Sequence, residues 1–422
     1  METILKALEK LNIENYRITE RLEETSEIFF VKKELDTRRA KDTKKYTVTV
    51  YRDGEGKKTR GCSDAAILPS DTEKEIEEKL SGAYYAANFA QNPFYELPDA
   101  VKAPKQEKKG ELAEKPLAES VGKMAKALFA PDTRNDSFIN SAEIFASRTY
   151  TRIVSSNGTD VSYTDAKLDG EFVVQCKEPE DVEMYFDFSY DECDTESLSK
   201  KVAEALEEIC DRANAKKVLK SGKYDLILCK NEVSEVLSYY LERSFASMIY
   251  PHYSTWKVGD TVQGDEIAGE KLAMTLKATV PYSAEGIPMK DLPLIDGGKL
   301  LAIHGTNQHC RYLNIKPTGN YTKFVCENAG SESFDEMKKN PCLVAVAFSD
   351  FQMDSFSGHF GGEIRLAYLI ENGKVTPVTG GSVNGSLIEA QSNLAFSTDR
   401  YSSAEYEGPY AMLIKGVNVA GI

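Results

Sequence analysis

Residues Gly361–Asn384, GGEIRLAYLIENGKVTPVTGGSVN, constrain the fold of this chain more than any other stretch. They read as two strands joined at Asn372-Gly373, because Asn-Gly readily supplies the positive φ angles of a tight hairpin turn. A glycine-broken turn at Gly380-Gly381 follows. Strand-like runs with Gly/Pro turns dominate from Lys223 onward, as in LAMTLKATV, KLLAIHG, NPCLVAVAFSD, EIRLAYLIENG and AMLIKGVNVAGI. Residues 223–422 are therefore expected to form a β-rich domain, entered through a short buried strand, Tyr224–Cys229, and a helix, Glu232–Tyr250.

The first half has a different texture. An amphipathic helix at Thr3–Leu11 precedes strand-like runs at Glu27–Glu34 and Lys45–Arg52, and Asp53-Gly54 is a hairpin signal. Ser70-Asp71-Thr72 starts a helix through Ile76, Leu80 and Tyr84, which Asn92-Pro93 ends. Residues 99–115 are rich in Lys, Glu, Ala and Pro and read as an exposed linker or excursion. A second helix–strands–helix unit occupies 116–215. It holds a helix at Pro116–Phe129, a meander through Ser147–Val154, Val161–Asp165 and Gly170–Lys177, and a helix opened by Asp194-Thr195. Leu198, Val202, Ala205, Leu206 and Ile209 form the apolar stripe of that last helix. The expected class is α+β: an N-terminal α/β sandwich-like domain with a possible duplication (units 1–98 and 116–215), then the β-rich domain.

Length and charge limit the functions available. A chain of 422 residues suggests two or three domains. The formal charge is −15, from 52 basic and 67 acidic residues, which argues against a general phosphate-backbone binder. The eight cysteines stand singly, with none at zinc-ribbon or redox-motif spacing. Together with the absence of a leader in METILKALEK, this points to reduced thiols and a cytoplasmic setting.

Candidate chemistry is sparse. His304, His309 and Cys310 are the one place where soft metal ligands cluster, as zinc would require, but five residues separate the histidines where a helical pair needs four. The expected reading is a helix start with a surface histidine and a half-buried cysteine. Gly361, Gly362, Gly380 and Gly381 read first as bulges or points of close backbone approach. They would also let the backbone of a bound peptide come near a sheet edge, with Glu363 and Asn384 beside them. The acidic run Glu178–Asp194 reads as a solvated face.

In this order and spacing, the segments resemble the TldD/PmbA family, once called modulators of DNA gyrase and classed as peptidases, and most closely its PmbA branch. The resemblance rests on Asn92-Pro93 and Leu97-Pro98, Ser155–Gly158, the strand and helix over Tyr224–Tyr250, Tyr282–Gly286, Leu294–Leu300, Gly361–Leu387 and the closing VNVAG. It implies a dimer, homo- or heteromeric, enclosing a peptide-accessible cavity, and a role in proteolysis of unfolded peptides. It further implies that a TldD-type subunit holds zinc through a helical His-Glu-x-x-x-His and a late cysteine. The corresponding positions here are Ser238, Tyr239 and Arg243, and no cysteine follows Cys342. The expectation is a metal-less subunit without catalytic residues, which binds peptide or completes a peptidase dimer with a zinc-bearing TldD-type partner. Two alternatives stand beside it: an active metallopeptidase rebuilt on His304, His309 and Cys310, and a non-enzymatic regulatory protein.

Overall fold

The computed structural model describes residues 1–421. Seven antiparallel strands form the N-terminal sheet: β1 (Asn15–Val31), β2 (Glu34–Asp53), β3 (Thr59–Ile67), β4 (Asn92–Pro93), β5 (Ser137–Ser155), β6 (Asp160–Cys176) and β7 (Val182–Tyr190). Their order is β4-β3-β2-β1-β5-β6-β7. The two α+β units expected from the sequence are thus halves of one sheet, joined where β1 pairs with β5 from Arg17–Ser155 to Val31–Ser141.

Alternation decides which face of this sheet is covered. Ile18 and Ile28 of β1, Val48 and Val50 of β2, and Ile144 and Ala146 of β5 share one face and are buried. Helices α1 (Glu2–Lys10) and α2 (Glu73–Ala87) cover one end of it through Ile4, Leu8, Ile76 and Leu80. Helices α3 (Leu117–Phe129) and α4 (Thr195–Ala213) cover the other end through Val121, Met124, Leu198, Val202 and Leu206. The opposite face carries Arg17, Thr19, Arg21, Glu23, Thr25 and Glu27 of β1, a polar row that no helix of this layer covers.

Several elements differ from the sequence reading. The strands of the first hairpin are roughly twice as long as expected, and β3 adds a strand after the Asp53-Gly54 turn. The acidic run Glu178–Asp194 contains β7, whose Met184 and Phe188 point into the core while its acids face out. The 99–115 excursion is laid against β6, with Lys108 donating to Thr164 Oγ1 and Asp165.

The C-terminal domain contains a closed barrel. Cys342–Met353 pairs in parallel with Gly222–Cys229, which pairs with Ala411–Ala420, then Ser382–Ser386, then His359–Glu371, which returns to Cys342–Met353. A second sheet is built on Met274–Lys277, Leu292–Asp296, Lys323–Cys326 and Tyr406–Pro409. Helix α5 (Asn231–Arg243) lies in the core shared by the two, Val233, Val236, Leu237 and Tyr240 packing with Leu228, Leu276, Leu343 and Phe324. It ends at Ser244, whose hydroxyl donates to the carbonyls of Tyr240 and Leu241, so the expected helix to Tyr250 is broken into α5 and a short turn at Ala246–Ile249. Among the described residues no helix is long and apolar enough to cross a membrane.

Candidate functional site at the end of helix α5

Helix α5 divides its side chains between two tasks. The buried stripe ends in Tyr240, whose hydroxyl donates to Gln391 Oε1 at 2.9 Å and whose ring stacks on Trp256 at 6.1 Å. The other side presents Glu235, Ser238, Tyr239, Glu242 and Arg243 to the hairpin at Met353–His359, which joins two barrel strands. Glu235 Oε1 accepts from the Met353 N–H at 3.0 Å, and the Glu242 carboxylate accepts from the Ser355 hydroxyl. The hairpin is tightened from within. Asp354 accepts from the Phe356 N–H at 2.9 Å and from the Ser357 hydroxyl, and these donors hold its carboxyl below the usual range. Gly358 turns the chain at φ 74°, where an added Cβ would also lie 2.7 Å from Ile388.

Beside this hairpin, at one mouth of the barrel, lies a cavity of about 540 Å³ lined by Gln352, Asp354, His359, Gly361 and Asn384 among others. Its polar side chains are a carboxylate, an imidazole and two amides, with Met353 and Phe360 beside them. These groups can accept from and donate to the amides of a peptide, and among the lining residues no hydroxyl or thiol is present to act as a nucleophile.

The glycines singled out from the sequence sit here, but their backbones are already used. Gly361 is paired on one side with Gln352 and on the other with Asn384, and Gly362 likewise pairs with Phe351 and Val383. Gly380 donates to the Ile364 carbonyl, and Gly381 accepts from the Ile364 N–H. A closed barrel has no free edge here, so addition of a peptide strand at Gly361–Tyr368 or Gly380–Gly385 is blocked. The glycines serve close strand packing instead: a Cβ on Gly361 would lie 2.5 Å from the Val383 carbonyl oxygen, and one on Gly362 2.1 Å from that of Asp350. Glu363 is turned outward, accepting from Ser349 Oγ at 3.0 Å, so of the six positions Asn384 and Gly361 line the cavity.

The residues at the expected zinc positions do not fit a metal. Ser238 Oγ donates to the Glu235 carbonyl of its own helix at 2.7 Å. Tyr239 is buried, with its ring edge-on to Trp256 at 5.7 Å. Arg243 lies over the Tyr239 and Trp256 rings at 5.9 and 5.6 Å and donates to the Tyr253 carbonyl at 2.6 Å. A cation stands where a ligand lone pair is needed. His304, His309 and Cys310 are not brought together either. His304 is buried with Nε2 2.9 Å from the Leu241 carbonyl, an arrangement in which the ring nitrogen donates. His309 packs on Tyr250 and Tyr312, with Nδ1 3.3 Å from Thr306 Oγ1. Cys310 is fully buried rather than half-buried, and burial pushes its thiol up to about 11. Among the described residues, no three His, Cys, Asp or Glu side chains are grouped to hold a metal.

Glu285 belongs to a junction between the two domains. It accepts from the Asn307 N–H at 2.8 Å, while Asn307 Nδ2 donates to the Glu96 carbonyl and Arg311 pairs with Asp99. Burial raises the Glu285 carboxyl above its ordinary value.

Residues 221–421 match the PmbA/TldA metallopeptidase C-terminal domain. This match places the C-terminal half of the chain in the TldD/PmbA family. Over its whole length it has the fold of TldE from Thermococcus kodakarensis, with a TM-score of 0.81, 16% identity and full coverage of both chains. The same holds for a protein of Bacteroides thetaiotaomicron described as a modulator of DNA gyrase, with a TM-score of 0.81 and 18% identity, covering 100% of this chain and 98% of that one. At these identities the likeness is one of fold. In sequence, the chain is 23% identical over 282 residues to an uncharacterized protein of Methanocaldococcus jannaschii, covering 60% of this chain and 63% of that one. It is 27% identical over 163 residues to a metalloprotease TldD homolog of Haemophilus influenzae, covering 35% of this chain and 34% of the other. The chain thus spans less than two thirds of the length of either relative.

Sequence reasoning missed Glu235, Glu242, Asp354 and His359. The available signal was Asp354-Ser-Phe-Ser-Gly358, a turn composition between two strand runs, in which the Asp side chain bonds its own backbone two residues on.

Proposed function

We propose that this chain is a metal-less PmbA-type subunit of a TldD/PmbA peptidase assembly. It would hold an extended, unfolded peptide at the barrel mouth and leave hydrolysis to a zinc-bearing TldD-type partner. The observation that carries this reading is the side of α5 facing the 353–359 hairpin. Ser238, Tyr239 and Arg243 occupy the positions where the family pattern would place ligands, and all three are engaged in structural contacts. A hydrolytic zinc site needs an ordered ligand set and a base for its water, so peptide binding is the chemistry left to this end of the helix. The grip would come from side chains, Asn384, Asp354 and His359 in the cavity, since the barrel backbone is fully paired.

The test combines pull-down and turnover. The chain alone should not hydrolyse an unstructured fluorogenic peptide, and mixing with a TldD-type zinc subunit should give a stable complex that does. Asp354→Ala combined with Asn384→Ala should weaken peptide binding about tenfold, the loss of one or two net hydrogen bonds, with complex formation intact. Chelator-sensitive hydrolysis by the chain alone would replace this reading with that of an independent enzyme.

A further inference from the structure

The barrel strands that pack on α5 carry a second apolar face. Leu228, Leu343 and Ala345 point into the core with α5, so by alternation Cys229, Val344 and Val346 point away from it. There they form, with Ile370, one wall of a cavity of about 550 Å³, which Glu208 of helix α4 closes from the N-terminal domain. That volume falls in the range of about 300–1,000 Å³ of small-molecule sites, which favour junctions between domains. Phe334, Tyr368 and Tyr410 add three aromatic rings to the lining.

The charged groups in this cavity are unequally committed. Glu208 is the one carboxylate of the lining, and Lys230, Lys338 and Lys339 stand against it. Lys230 holds φ 57° at the start of α5, an unfavoured conformation for a residue with a Cβ. Its ammonium lies 3.1 Å from Glu204 Oε2 and 3.2 Å from Glu208 Oε1, over the Tyr410 ring, so Lys230 and Glu208 offset each other. The Tyr368 hydroxyl donates to Asp211 Oδ2 at 2.7 Å, which uses its proton. Lys338 pairs with the exposed Asp335 at 2.7 Å and Lys339 lies 3.9 Å from Glu336, and such surface pairs hold a lysine weakly. Side-chain exposures of 31% and 71% put these two lysines at the rim, whereas Val344 and Ile370, at 1% and 4%, form the floor. A bare anion would leave that floor uncovered, and a neutral apolar molecule would leave the rim cations without a partner.

We propose that this cavity binds a small amphipathic carboxylate, a straight-chain fatty acid, with its chain on Val344, Val346 and Ile370 and its carboxylate at Lys338 and Lys339. The proposal goes beyond the peptide-binding reading and does not depend on it, since the two cavities share no lining residue. Isothermal titration calorimetry of the full chain with decanoate, kept below its micellar concentration, tests it. Decanoate should bind the wild type saturably. Lys338→Glu combined with Lys339→Glu should weaken this binding about tenfold or more, and decanol, which carries no charge, should bind the wild type about tenfold more weakly than decanoate. Val375→Trp, at a lining position that is 57% exposed, fills the cavity without disturbing the core and should abolish binding with the circular dichroism spectrum unchanged. No saturable binding by the wild type would overturn the proposal, and so would binding that survives Val375→Trp, which would place the ligand elsewhere. Equal affinity for decanol, or decanoate binding indifferent to the two lysine substitutions, would refute the carboxylate assignment.

Discussion

Tyr240→Ala should destabilise the C-terminal domain by about 3–5 kcal/mol, the range for deleting a large aromatic from a close-packed core. Tyr240 is fully buried between the barrel and the second sheet, stacked on Trp256 and hydrogen-bonded to Gln391. Its loss opens a void in the one core that positions both faces of α5. Tyr240→Phe keeps the ring and leaves the buried Gln391 carbonyl without its donor, for a smaller cost of about 1–3 kcal/mol. Denaturant unfolding followed by Trp256 fluorescence reads both, since the indole sits against the substituted ring. A Tyr240→Ala loss under about 1 kcal/mol would mean that the core around α5 is looser than its burial indicates.

The second large effect is acid destabilisation through His304. Burial lowers its imidazole from 6.5 to about 4, and the Leu241 carbonyl offsets this only in part. The folded-state value lies below the unfolded one, so between the two the unfolded chain binds more protons. The contribution of neutral His304 is therefore fully present above pH 6.5 and is lost as pH falls toward 4. A shift of this size amounts to about 3 kcal/mol across the window. His304→Gln preserves a donor toward Leu241 and does not titrate. Wild-type stability should fall relative to that variant on going from pH 7 to pH 4, with the difference constant above pH 7. Parallel curves through the window would show that His304 is hydrated or charged in the folded protein.

Some of this architecture was readable from the residues, for identifiable reasons. Helix α4 has an apolar stripe at Leu198, Val202, Leu206 and Ile209 and an Asp194 cap that accepts from the Ser197 N–H, so pattern and capping agree. Asn372 and Gly373 take φ of 51° and 73°, as the Asn-Gly hairpin reading requires. The long first hairpin was harder. One face of β1 is polar from Arg17 to Glu27, and Glu34–Lys45 of β2 is exposed on both faces, so no alternation marks it. Strand β7 hid behind the acids on its outward face. Of the site, the residue types at 238, 239 and 243 were readable in advance. Its positive features depend on a hairpin folding back onto α5 from 118 positions later, a contact between Glu235 and Met353 that no local pattern encodes. The glycines at 361–362 and 381 make the close backbone approaches read first for them; strand addition, the second use, could not be judged from the residues, because closure of the barrel is a property of strand order and not of any one strand.

The central claim is that the end of α5 has exchanged ligands for structure. Zinc content of the chain purified alone, without added chelator, tests it most directly by elemental mass spectrometry. The account predicts zinc far below one equivalent per chain, and unchanged by Arg243→Ala. Zinc near one equivalent, removable by chelator with loss of peptide hydrolysis, would contradict it.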